Sequence, residues 1–89
     1  MKILCVCGLG QGTSLILKMN VEEVLGEKNI MADVEHIDLS SATSMSADYI
    51  ITSNELADSL QDQPAKVIVV NNYFDMEEIK AAIDANIKQ

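Results

Sequence analysis

A predicted strand, a glycine-rich loop and a predicted helix follow one another at the start of this chain, and this order constrains the fold most. The apolar run Ile3–Val6 leads into Cys7, and three glycines follow within the next five residues. Thr13 and Ser14 come next, before a helical pattern that starts at Leu15. Glycine lets the main chain approach a ligand closely, and N–H groups of such a loop and of a helix N-terminus bind anions. The sequence therefore predicts a phosphate-sized anion site with a cysteine at its head.

The same main-chain groups favour the thiolate form of Cys7, and a thiolate inside an anion site indicates phosphoryl chemistry on sulfur. A free cysteine is more often a small buried hydrophobic residue, and this alternative suits Cys5, which has no glycine loop after it. A glycine loop alone is also what a tight turn needs, so the strand, the helix and the cysteine around it carry the prediction. The predicted phosphate-binding residues are Gly8, Leu9, Gly10, Gln11, Gly12, Thr13 and Ser14.

The rest of the chain alternates predicted strands with predicted helices. Four strands are expected, over Lys2–Val6, Ala32–Ile37, Tyr49–Thr52 and Val67–Val70. Strands that alternate with helices form a parallel sheet with right-handed crossovers. We therefore predict an α/β fold, βαββαβα, with a four-stranded parallel sheet in the order 2-1-3-4, three helices and a single domain over residues 1–89. Ligands bind such sheets at the switch point of strand order, beyond the strand carboxyl ends, and Cys7 lies there.

Capping residues at the helix ends and the helical spacing of apolar residues between them predict the three helices. The first helix is expected to end between Gly26 and Asn29, since both residue types favour helix termination. The segment 38–46 contains four serines and predicts a loop or a weak helical turn. The predicted helix caps are, in chain order, Thr13 or Ser14, then Asn54 for a short helix that ends at Leu60, and finally Asp75 in a capping box with Glu78.

Composition excludes several classes of function. The net charge is −8, with six lysines and no arginine, which argues against nucleic-acid binding. No apolar run approaches the ~20 residues of a membrane helix, and the N-terminus lacks a signal-peptide pattern, so we expect a cytoplasmic protein without direct membrane insertion. A disulfide between Cys5 and Cys7 would be strained, and the pair supplies only two metal ligands. We expect no metal and no cofactor.

The spacing Cys7-x5-Thr13-Ser14 resembles the Cys-x5-Arg-Ser/Thr loop of cysteine phosphatases, with one departure. Thr13 stands where that arginine would clamp the phosphoryl oxygens through a bidentate fork. No aspartate stands at an obvious position for the general acid. Hydrolysis of a phosphoester should therefore be poor, and the residues that remain favour a carrier that accepts a phosphoryl group on sulfur and holds it.

The segment Lys2–Ser14, followed by Leu15–Met19, resembles the start of an enzyme IIB component of the bacterial phosphoenolpyruvate-dependent sugar phosphotransferase system (PTS). Within the lactose/galactitol/ascorbate group it is most similar to the ascorbate type. The resemblance implies a phosphotransferase whose phosphocysteine is Cys7, cradled by residues 8–14. Its donor would be a phosphohistidine on a IIA protein, and its acceptor L-ascorbate or a related sugar or polyol in the membrane transporter IIC. The implied fold is a four-stranded parallel sheet with three helices, related to the small cysteine phosphatases.

Several alternatives remain open at this stage. A small cysteine phosphatase or arsenate-reductase-like enzyme and a IIB-like regulatory module compete with the carrier, and a monomer is the expected state.

His36 suits a base or phosphoryl relay, or more simply a surface position at the end of a strand. Tyr73 and Phe74 follow the last strand, where they suit either a docking face or closure of the core. Leu9 and Leu15 are candidates for the surface that meets IIA.

Overall fold

Four parallel strands form the centre of the domain. The computed structural model describes residues 1–7, 11–42, 44–60 and 64–87, and for residues 7, 11–14 and 55 it describes the main chain alone. The sheet has the order β2-β1-β3-β4, which confirms the predicted strand order and fold class. In chain order the elements are β1 (Lys2–Cys7), α1 (Gln11–Glu27), β2 (Asp33–Asp38), α2 (Leu39–Ala42), β3 (Tyr49–Thr52), α3 (Asn54–Ala57) with a 3₁₀ turn (Asp58–Leu60), β4 (Lys66–Val69) and α4 (Met76–Asn86).

Strand β1 is buried on both faces, because helices cover the sheet from both sides. Ile3 and Cys5 belong to one core cluster, together with residues of the long helices α1 and α4 such as Leu17 and Ile83. Leu4 and Val6 belong to a second cluster, which includes Ala42 of α2 and Leu60. Side chains along a strand alternate between the two faces, so the unbroken apolar run of β1 supplies both clusters.

Helix α1 ends where the sequence predicts and begins earlier. Its C-terminus closes with hydrogen bonds from Ile30 N–H to the Leu25 carbonyl (2.9 Å) and from Asn29 N–H to the Gly26 carbonyl (3.2 Å), with Asn29 at a φ of 58°. Asparagine tolerates this left-handed conformation better than most residues, which explains its place as a terminator.

The N-terminus of α1 corrects the prediction that Thr13 or Ser14 caps the helix. The helix begins at Gln11, so both residues lie inside its first turn. The first turn of a helix has N–H groups without helical partners, and small hydroxyl residues suit that whole turn. The two hydroxyl residues therefore indicate the first turn of the helix, but the helix starts three or four residues earlier than a cap at Thr13 or Ser14 predicts.

The caps of the later helices also differ in detail. Ser53, and not the predicted Asn54, occupies the N-cap position of α3. Asp75 caps α4 as predicted and accepts hydrogen bonds from the N–H groups of Glu77 and Glu78 (3.0 and 3.3 Å). The reciprocal half of the capping box is absent, because the main-chain N–H of Asp75 donates to the Asn72 carbonyl (3.1 Å) instead.

Candidate functional site

Cys7 is the last residue of β1 and lies at the carboxyl edge of the sheet. Its main chain is in register with Asp38, the last residue of β2, and β3 lies on the other side of β1. The strand order changes direction between β1 and β3, which is where parallel sheets of this kind bind ligands. The predicted position of the cysteine at this edge is therefore confirmed.

The first turn of α1 begins four residues after Cys7, at the same edge. It contains four of the predicted phosphate-binding residues, namely Gln11, Gly12, Thr13 and Ser14, whose main chain is helical. The other three, Gly8, Leu9 and Gly10, lie outside the described residues. Three residues separate the cysteine from the N-terminus of a 17-residue helix, and the partial positive charge of that terminus favours an anion.

The carbonyl oxygen of Val6, one residue before Cys7, is bound by side chains from elsewhere in the fold. Thr52 Oγ1 on β3 donates a hydrogen bond of 3.0 Å to it, and the Tyr73 hydroxyl lies at 3.5 Å. Thr52 is completely buried. The sequence does not indicate this contact, because its pattern identifies Thr52 only as the last residue of a short strand.

Asp38 lies beside Cys7 on the neighbouring strand, but its carboxylate is hydrogen-bonded to the start of the next helix. It accepts hydrogen bonds from Ser41 N–H (3.2 Å) and from Ser40 Oγ (3.0 Å), at the start of α2. Hydrogen bonds from the side chains of Ser41 first and Ser40 second lower the pKa of the Asp38 carboxyl, and the Ser41 main-chain bond adds a smaller contribution. The serine-rich segment after β2 therefore opens with one short helix, as the predicted weak helical turn allows.

Tyr73 and Phe74 differ in burial, so each suits a different one of the two roles that the sequence leaves open, closure of the core and a docking face. Tyr73 is only 8% exposed and belongs to the core cluster, whereas Phe74 is 66% exposed. Asn20 Nδ2 of α1 donates a 2.8 Å hydrogen bond to the Tyr73 carbonyl, which ties the connection between β4 and α4 to α1. Tyr73 therefore closes the core, and Phe74 is available at the surface.

Cys5 is a core residue, as predicted. It is completely buried, and this burial raises the pKa of its thiol to about 12, with a smaller contribution from the charge of Glu22. A thiol with that pKa is protonated at neutral pH. His36, in register with Cys5 on β2, is exposed, which confirms its predicted surface position.

Within the part of the chain that the structure describes, no group of three His, Cys, Asp or Glu residues could hold a metal ion. None of its helices is long and apolar enough to span a bilayer.

These features define a small α/β domain with a cysteine at the carboxyl end of its first strand and a helix N-terminus beside it. Residues 2–85 match the family model of the lactose/cellobiose specific IIB subunit of the PTS. The chain therefore belongs to the IIB family of the sugar phosphotransferase system, and it is a phosphotransferase component, as the resemblance implied.

Curated relatives and a solved structure agree with this assignment. The chain is 37% identical over 84 residues to a protein of Mycoplasma pneumoniae named ascorbate-specific PTS system EIIB component, covering 91% of this chain and 88% of that protein. It is 34% identical over 98 residues to a protein of the same name from Escherichia coli, covering 98% and 97%. The lactose-specific IIB domain of Streptococcus pneumoniae has the same fold, with a TM-score of 0.68 at 15% identity over 96% of this chain and 92% of that one.

Proposed function

We propose that this protein, acting as one domain over residues 1–89, carries a phosphoryl group on Cys7 between a IIA protein and a substrate held by a IIC transporter. The observation that carries the proposal is the place of Cys7, which ends β1 at the switch point of the sheet, beside the first turn of α1. An anionic phosphoryl group is stabilised there by main-chain N–H groups, and residues 8–14 are the proposed cradle.

The contrast with Cys5 supports the choice of cysteine. Thiolate is the reactive form, and the Cys5 thiol is both enclosed and held protonated by burial. A IIA protein would have to open the core between β1 and α1 to reach it. Cys7 lies two residues further along, at the edge of the sheet.

Transfer proceeds by two in-line displacements. In the first, the Cys7 sulfur attacks the phosphorus of a IIA phosphohistidine; the S–P bond forms as the P–N bond breaks, and the electron pair stays on the ring nitrogen. A ring protonated on its other nitrogen then leaves as neutral imidazole. In the second, a substrate hydroxyl oxygen attacks the phosphorus, its proton passes to a base beside the substrate, and the sulfur leaves as thiolate.

The proposed acceptor is L-ascorbate or a related sugar or polyol. Support comes from the name that the relatives share, together with alignments that span nearly all of each protein. A domain of 89 residues has little room to select a substrate by itself. We therefore place the selection of the substrate mainly in IIC.

The proposed surface for IIA surrounds the cysteine edge and includes Leu15, in the second turn of α1. Leu15 is 42% exposed although it is a large apolar residue, and Met19 one turn later is also exposed. Exposed apolar side chains next to a reactive edge suit a protein partner that must exclude water during transfer. Leu9, the other residue predicted for this surface, lies outside the described residues. The proposal includes a cytoplasmic location, where phosphoenolpyruvate is made, and a monomer.

Uptake in cells tests the transport role. A strain that has its own IIA and IIC for ascorbate but lacks the matching IIB would receive the wild-type gene, Cys7→Ser or Cys5→Ala. We expect ascorbate uptake with wild type and Cys5→Ala and none with Cys7→Ser. Uptake with Cys7→Ser would remove the carrier role from Cys7, and no uptake with the folded wild-type protein would contradict ascorbate as the proposed acceptor.

A further inference from the structure

We propose that Thr52 is a positioning residue for phosphoryl transfer, because its buried hydroxyl holds the carbonyl of Val6 and so sets the main chain from which Cys7 enters its loop. Tyr73 is the second member of this arrangement, which we call the Val6 clamp (Thr52, Tyr73 and the Val6 carbonyl). The inference rests on Cys7 being the phosphoryl acceptor.

The clamp begins where the pairing of β1 with β3 stops. The ladder between these strands runs from Ile3 opposite Tyr49 to Cys5 opposite Ile51 and does not continue to the next pair. There the Thr52 side chain replaces the main chain as donor, with Oγ1 at 3.0 Å from the Val6 carbonyl oxygen. The Thr52 carbonyl accepts from Val70 N–H (2.8 Å), so β3 is held firmly by β4 at the same residue.

Fixing the Val6 carbonyl also fixes the main-chain N–H of Cys7. The peptide bond is planar and trans, so the carbonyl of Val6 and the N–H of Cys7 point in opposite directions. With the carbonyl held toward β3, the N–H of Cys7 lies on the side of β2, where its register partner is Asp38. The clamp therefore defines the direction in which the chain leaves β1.

Tyr73 makes a longer contact to the Val6 carbonyl, and its own segment is held in place by a hydrogen bond from α1. Its hydroxyl lies 3.5 Å from the Val6 oxygen, near the limit of a hydrogen bond, so Thr52 is the stronger partner. Asn20 of α1 binds the Tyr73 carbonyl at 2.8 Å. The clamp thus connects β3, the connection between β4 and α4, and helix α1 at the residue before the cysteine.

Among the residues that the structure describes, loss of the Thr52 hydroxyl would leave the Val6 carbonyl, in the buried end of β1, with only the long contact to Tyr73. A buried acceptor without a good donor is costly, and the peptide can relieve the cost by rotating. Rotation would move the start of the loop relative to the N-terminus of α1. Misplacement of a reacting group by about 1 Å can slow a reaction by about a hundredfold.

Two conservative variants separate positioning from stability. Thr52→Val removes the hydroxyl and keeps the β-branched shape, whereas Thr52→Ser keeps the hydroxyl and removes a buried methyl group. Both should lose some stability, but only Thr52→Val should lose function. Tyr73→Phe tests the second contact, and Tyr49→Phe is its matched control, since Tyr49 is a half-buried tyrosine at the opposite end of β3.

Two rates would be measured by intact mass spectrometry at a temperature where each variant is fully folded by circular dichroism. One is phosphorylation by phosphoenolpyruvate, the general PTS proteins and the IIA protein. The other is alkylation of the Cys7 thiol by iodoacetamide, which needs no partner protein. We expect Thr52→Val to slow phosphorylation about tenfold and alkylation about threefold, and Thr52→Ser to stay within about twofold of wild type in both. Tyr73→Phe should be intermediate, and Tyr49→Phe unchanged.

Thr52→Val at wild-type rates in both assays, or Thr52→Ser as slow as Thr52→Val, would overturn the inference. If Thr52→Val does not fold, Tyr73→Phe against Tyr49→Phe decides it, and equal rates for these two overturn it. A wild-type protein that accepts no phosphoryl group, while its alkylation still depends on Thr52, would refute the proposed function and leave the clamp standing.

Discussion

The carboxylate of Glu78, in the first turn of α4, accepts a 2.7 Å hydrogen bond from the main-chain N–H of Asn71, just after β4. Its other oxygen accepts from Asn72 N–H at 3.1 Å. One side chain therefore satisfies two consecutive N–H groups of the connection that leads to Tyr73. This explains why Glu78 does not complete the predicted capping box, since both of its oxygens are engaged across the turn.

Replacement of Glu78 by alanine should destabilise the protein by about 1–2 kcal/mol, because two hydrogen bonds to a charged acceptor are lost at a partly exposed site. Urea unfolding followed by circular dichroism measures the change. Glu77→Ala is the matched control, as Glu77 is an exposed carboxylate in the same first turn without a bond to the connection. Equal losses of unfolding free energy in the two variants would mean that negative charge near the N-terminus of α4, and not the hydrogen bond to Asn71, stabilises the protein.

The sequence was sufficient for the sheet and for the position of the cysteine. β-Branched apolar runs such as Val67–Val70 favour strands, and their alternation with helices predicts a parallel sheet. Boundaries moved by a residue, since β4 covers Lys66–Val69 and β1 extends to Cys7. Such shifts are expected, because polar residues at the ends of strands can form or lose the last hydrogen bond of the ladder with little difference in free energy.

Contacts between distant side chains and main chain could not be predicted in this way. The bond from Thr52 to Val6 joins residues 46 positions apart, and it depends on where the β1–β3 ladder stops. The local pattern of apolar and polar residues contains no information about a contact between residues so far apart in the chain. Glu78 is a similar case, because the spacing Asp75-x-x-Glu78 suits a capping box equally well and only the turn after β4 provides the competing donors.

Cys5 should make the protein less stable in alkali. Its folded pKa of about 12 lies above the usual 9.0 of a thiol, so between these values the unfolded chain has lost a proton that the folded chain keeps. The free energy of unfolding should therefore fall as pH rises above about 9, by up to about 1.4 kcal/mol per pH unit, and be unaffected by this group below that pH.

Urea unfolding of wild type and Cys5→Ala, at several values between about pH 8 and about pH 10.5, isolates this effect. All other ionisable groups are the same in the two proteins, so only the difference between them reports Cys5. We expect the variant to be less stable near neutral pH, where it lacks a buried side chain, and to lose less stability as pH rises. Parallel curves would show that the Cys5 thiol is not protected by the fold.

A charge at Leu15 should weaken the encounter with IIA. Leu15→Asp places a carboxylate on the proposed docking surface, where it would have to be desolvated beside apolar groups, and we expect phosphorylation at limiting IIA to slow about five- to tenfold. The control is Met31→Asp. Met31 is 88% exposed and lies two residues before the start of β2, at the opposite edge of the sheet. The rate of appearance of the phosphoryl adduct measures both, and similar rates for the two variants would place the IIA surface elsewhere.

The central claim is that Cys7 alone carries the phosphoryl group, and intact-mass spectrometry at neutral pH tests it most directly. Wild type, Cys5→Ala and Cys7→Ser would each be incubated with phosphoenolpyruvate, the general PTS proteins and the IIA protein. We predict a single phosphoryl adduct on wild type and on Cys5→Ala, and none on Cys7→Ser. An adduct on Cys7→Ser, or its loss in folded Cys5→Ala, would contradict the assignment of Cys7.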